Sequence, residues 1–155
     1  MTRLLAFLAI LPACSWVPPA FPADVVVRGP VTQDEQSAAI DGAEAWSRAI
    51  ETDVFDVTFG DSTRCGRIEI TFTAAQLAPN EMGKTFHQHC RTVIHIRPGR
   101  SVAIMRIDVA HELGHAVMGS AHNPDPRSVM YVHDREDEVI TLDDVYRFQD
   151  AMERR

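Results

Sequence analysis

The stretch "VAHELGHAVMGSAHNPDPRSVMY", from Val109 to Tyr131, constrains this chain more than any other part of it. It contains three of the seven histidines and places a glutamate beside the first. On a helix, residues i and i+4 stand about 40° apart in azimuth and about 6 Å apart along the axis. His111 and His115 therefore leave one helical face close enough to share a metal ion at about 2.0–2.1 Å. Glu112 flanks that ion without needing to bind it. From there it can take a proton from a water molecule that the metal has made acidic.

A third ligand has to come from beyond the helix. Were the helix unbroken to His122, that residue would face the same way but lie about 10 Å further along the axis, out of reach. Gly119 offers the escape, because glycine readily adopts the backbone conformation that ends a helix and turns the chain back. His122 can then return toward the ion. Downstream, "SVMY" places Met130 where it can form an apolar floor under the metal.

This run resembles the active-site segment of the metzincin clan of zinc peptidases, and within it the matrixin-like (matrix-metalloproteinase-like) group. The motif there is H-E-x-x-H-x-x-G-x-x-H followed by a Met-turn. "EAWSRAIETDVFDVTF" and "ITLDDVYRFQDAM" are more loosely similar to that group's first helix with its following strand and to its last helix. The resemblance implies His111, His115 and His122 as ligands of Zn2+, Glu112 as the catalytic general base and Met130 as the Met-turn methionine.

Two departures stand out. Three residues, Ala116, Val117 and Met118, separate His115 from Gly119, where the family has two. One extra helical residue rotates the exit by about 100° and advances it by about 1.5 Å. The expectation is that a π-bulge or an earlier helix end absorbs it. "MYVHD" also lacks the proline that usually follows the matrixin Met-turn, and His133 in it reads as an exposed loop residue.

At 155 residues the chain is long enough for one domain with a real core. The formal charge of -7 comes with no basic stripe, which argues against a nucleic-acid partner. "MTRLLAFLAILPAC" has the short positive start, apolar run and small residues of an export signal, too short to span a bilayer. The reading is a leader with a proline-rich linker over 1–23 and a peptidase-like domain over 24–155. "LPAC" also resembles a bacterial lipobox, in which a lipidated Cys14 would attach the chain to a membrane; ordinary cleavage near Ala20 or Ala23 is the rival. Either route leads outside the cytoplasm, as a secreted protein or a cell-envelope lipoprotein. Cys65 and Cys90 remain as an even pair suited to a disulfide in an oxidising compartment. "HQHC" (His87, His89, Cys90) could instead belong to a second metal site.

Periodicity outlines the rest. Strands are expected at Asp24–Gly29, Asp53–Phe59, Arg67–Thr73 and Arg91–Gly99, with Ala74–Lys84 as a loop and His95 as an outward-facing strand residue. Ala39, Ala43, Trp46 and Ile50 recur at helical spacing, in a helix that Thr32 or Asp34 can cap. A second helix starts near Ser101 and buries Ala103, Ile107, Ala110, Gly114 and Val117. The third starts at Thr141 with Asp144 completing a capping box, and buries Val145, Phe148 and Met152.

The expected fold is α+β and zincin-like: a small twisted mixed sheet, an active-site helix, a Met-turn and a C-terminal helix. The expected function is an exported zinc metalloendopeptidase acting on protein or peptide, with the Arg91–Ile96 sheet edge as the rail for extended substrate. One alternative is an inactive zinc-binding envelope lipoprotein that acts as a binding module, favoured by the extra residue before Gly119. Another keeps zinc and hydrolysis but takes Asp125 or Glu136 as the third ligand.

Overall fold

A computed structural model describes residues 20–61, 64–132 and 137–154. Most of the leader, including Cys14, lies outside the described residues, as do His133 and Glu136. The elements run β1 (Ala23–Val27), α1 (Gln33–Ile50), β2 (Phe55–Phe59), β3 (Ile68–Phe72), β4 (Gly83–Gln88), β5 (Arg91–Ile96), α2 (Val102–Met118) and α3 (Leu142–Glu153). The strands form one mixed sheet in the order β2-β1-β3-β5-β4. All neighbours are parallel except β4 and β5, which pair antiparallel with Gly83 opposite Ile96 and Gln88 opposite Arg91.

Alternation decides which side of the sheet carries the helices. Val25, Val27, Ile68, Ile70, Ile94 and Ile96 are fully or almost fully buried, in one core with Trp46, Leu113 and Phe148. Phe148 of α3 stacks on Trp46 of α1 with ring centroids 4.5 Å apart. Trp46 Nε1 donates a 2.8 Å hydrogen bond to the Ala110 carbonyl, which locks α1 onto α2 one residue before His111.

Local signals placed the helices well. Thr32, rather than Asp34, caps α1, in a capping box with Glu35. Thr141 and Asp144 form the expected box at the start of α3. The α2 reading needs correction at its start: Ala103 is exposed, and burial begins at Met105. From Ile107 to Val117 every residue but the half-buried His115 is buried, because α2 runs through the middle of the molecule and not along its surface. A single apolar stripe understates such a helix.

The strand β4 is the larger correction. Gly83–Gln88 was expected to be partly loop, yet it is the sheet's outer strand beside α2. Arg91–Ile96 is consequently no edge, since β5 is paired on both sides, with β3 and β4. Cys65 and Cys90 are joined as a disulfide, tying the approach to β3 to the β4–β5 hairpin. That bond removes the thiolate a second metal site in "HQHC" would need. His87 instead places Nδ1 3.1 Å from Thr92 Oγ1. His95 faces away from the helices as expected, but is only half-exposed, edge-on to Phe86 at 5.2 Å.

Candidate metal centre

The histidines His111 and His115 leave the same side of α2, and their rings meet edge to face with centroids 4.6 Å apart. The chain then turns at Gly119, whose φ of 84° and ψ of -167° are strained for any residue with a side chain. His122 is thereby brought back, with its ring 5.3 Å from that of His111 and 4.8 Å from that of His115. One ring nitrogen from each of the three lies within 4.8 Å of the others.

The extra residue is absorbed in an unexpected way. There is neither a π-bulge nor an early helix end, since α2 stays α-helical to Met118 and Gly119 N–H still bonds the His115 carbonyl at 3.0 Å. The whole correction falls on Gly119, which leaves the helix with an extended ψ and swings Ser120–His122 across the helix end. His115 Nδ1 then reaches the Gly119 carbonyl at 2.8 Å, so the residue that turns the chain also orients a candidate ligand.

Hydrogen bonding sets the tautomers. A carbonyl can only accept, so the nitrogens facing Val129 O (2.6 Å from His111 Nδ1) and Gly119 O must be the protonated ones. The Nε2 atoms of both rings then carry lone pairs, and they face each other at 2.9 Å. Two lone pairs at that distance repel unless a cation lies between them. Nitrogens on one tetrahedral zinc ion sit about 3.3 Å apart, given bonds of about 2.05 Å. The His111–His115–His122 group fits a Zn2+ ion in donor type and spacing, and His111 and His115 fit it in tautomer as well.

Electrostatics points the same way. Burial pushes His111 below the usual imidazole range, the bond to Val129 opposing it. Burial, followed by the His111 charge, pushes His115 down to about 4. His122 is lowered by burial and by Arg147. All three are therefore neutral near pH 7, the form that binds metal.

The surrounding segment is tied down from α3. Asp144, with no exposed surface, accepts from Ser128 Oγ at 2.7 Å, from Asn123 Nδ2 at 2.7 Å and from the Thr141 backbone N–H at 2.9 Å. Asn123 follows His122, and Ser128 precedes the carbonyl that orients His111. Arg147 Nη2 donates to the Ala121 carbonyl at 3.2 Å. Met130 is fully buried, its sulfur so close to Gly114 that a Cβ there would collide with it, beside the helical turn that carries both histidines. Among these anchors, only Met130 and the capping role of Asp144 were visible in the sequence.

Glu112, 6% exposed, points into a cleft of about 980 Å³ together with the three histidines. Thr85, Arg100 and Asp108 also line it, and Arg100 Nη1 pairs with the buried Asp108 carboxylate at 3.0 Å. Asp125 is not drawn to the centre and pairs with Arg127 at 2.8 Å.

Neither a family profile nor a curated protein sequence matches this chain. Solved structures do. Archaemetzincin from Methanopyrus kandleri superposes with a TM-score of 0.62 over 93% of this chain and 99% of that one, at 12% identity. The fold is zincin-like. Metalloproteinase-II from Bacteroides fragilis gives a TM-score of 0.55 at 12% identity, covering 86% of this chain and 54% of that one. The chain thus spans about half the length of the Bacteroides protein. At this identity, the likeness speaks for the zincin-like fold, and the chemistry has to be argued from the residues in the cleft.

Proposed function

We propose that the chain is a zinc-dependent endopeptidase that works outside the cytoplasm. The observation that carries this reading is the convergence of three neutral imidazoles in an open cleft, with the Glu112 carboxylate beside them. His111, His115 and His122 would hold the ion. Zinc bound there supplies a Lewis acid that polarises a carbonyl and brings the pKa of water near neutrality. Glu112 takes the proton of the attacking water and later delivers it to the leaving amine nitrogen. The outer strand β4, last in the sheet order among the described residues, is the rail on which an extended peptide would dock.

The turn around Met130 takes the part of the Met-turn in this reading, and the finer matrixin-like grouping rests on the His111–Tyr131 run. The Cys65–Cys90 disulfide supports an oxidising, extracytoplasmic location, and lipidation of Cys14 is the proposed route of membrane attachment. The inactive binding-module reading leaned on the longer spacing before Gly119; the return of His122 to the cluster takes that support away.

Incubating the zinc-supplemented protein with an unfolded protein substrate tests the proposal. Cleavage is expected, and Glu112→Ala should abolish it while zinc content stays unchanged. Cleavage that survives in Glu112→Ala, or a wild-type protein that binds zinc and cuts nothing, would contradict it.

A further inference from the structure

A side chain that touches the Glu112 carboxylate comes from β4, the strand that sequence periodicity missed. Thr85 Oγ1 lies 2.6 Å from Glu112 Oε2 and 3.0 Å from the Glu112 carbonyl oxygen. A hydroxyl has one proton to give, and the shorter contact to the charged oxygen takes it. Its length is that of a charge-assisted O–H···O⁻ bond.

Gly83 stands two residues earlier and so on the same side of the strand. A Cβ there would come within 2.6 Å of Glu112 Cγ and 2.8 Å of Oε1. The strand therefore runs flush against the carboxylate, bare at Gly83 and hydrogen-bonding at Thr85. With Cγ close beside Gly83 and Oε2 held by a hydroxyl, the side chain is restrained both from swinging toward the strand and from rolling about its terminal bond.

We infer that Thr85 is a positioning residue for Glu112. Its hydroxyl fixes the rotation of the carboxylate, and so the direction in which the general base meets the attacking water. The role in turnover rests on the peptidase reading above; the geometric role does not. Loss of a hydrogen bond to a charged group corresponds to a fall of about 10- to 100-fold in kcat if the bond matters at the transition state.

The test compares Thr85→Val, which keeps the shape and loses the hydroxyl, with Thr85→Ser, which keeps the hydroxyl. Thr85→Ala serves if the valine variant does not fold. Kinetics, zinc content and a crystal structure of each metal-free variant are recorded. The expected result is a 10- to 100-fold lower kcat in the valine or alanine variant with KM and zinc content unchanged, near wild-type turnover in the serine variant, and a rotated Glu112 carboxylate only where the hydroxyl is missing. Wild-type kcat in Thr85→Val, or equal impairment of Thr85→Ser, would overturn the inference. If the wild-type protein cuts no peptide, the peptidase reading fails by itself and the crystal structures decide. A rotated carboxylate in Thr85→Val sustains the positioning role, and an unmoved one ends it.

Discussion

Asp144 at the head of α3 receives the Ser128 hydroxyl at 2.7 Å, and through it a helix that adds no histidine to the cluster braces the candidate metal centre. The same carboxylate holds Asn123. One buried acid thus fixes both the neighbour of His122 and the turn whose Val129 carbonyl orients His111. In Asp144→Asn an NH2 group would take the place of the oxygen that accepts from Ser128 Oγ and from the Thr141 backbone N–H, at a cost on the order of 3 kcal/mol. Denaturant unfolding of the metal-free protein should show that loss, and zinc competition titration should show weaker binding. Unchanged zinc affinity in a destabilised variant would mean that the anchor serves the fold alone.

Acid should weaken the metal-free protein through its histidines. His95, His111, His115 and His122 are all held below the ordinary imidazole value, with burial as the largest cause for each. Below about pH 6.5 the unfolded chain therefore binds more protons than the folded one, and stability falls as pH falls. For His115 the loss continues down to about pH 4. The urea midpoint of metal-free protein should be lower at pH 5 than at pH 7.5, and an equal or higher midpoint at pH 5 would refute this assignment.

The disulfide should matter to stability and not to metal. On the chain-entropy model, a Cys65→Ala/Cys90→Ala variant loses about 3–4 kcal/mol of stability. Its zinc content per chain should equal that of wild type. A drop in zinc content would revive a metal-binding role for the "HQHC" segment.

How much of this was legible in the sequence follows from how far apart the interacting residues are. Thr32 and Thr141 cap their helices through partners three residues away; the Thr141 box could be read directly, and the α1 cap could be narrowed to Thr32 or Asp34. The i, i+4 histidines and the breaking glycine are equally local. The strand β4 was missed because Phe86 is the one large apolar residue in Gly83–Gln88, and an outer strand needs little more. Its partner β5 follows at once across a tight turn, but Glu112, which it packs against, lies 27 residues beyond Thr85. The same distance hid the hold of Asp144 on Asn123 and Ser128. The manner in which Gly119 absorbs the added residue was hidden differently: glycine announces freedom of φ, and only tertiary contacts choose the direction.

Zinc K-edge X-ray absorption on the purified protein tests the central claim most directly. Three imidazole nitrogens at about 2.0–2.1 Å and one oxygen ligand are expected, with His122→Ala reducing the imidazole count to two. Two imidazoles with a carboxylate in the wild-type protein, or no specifically bound zinc, would contradict it.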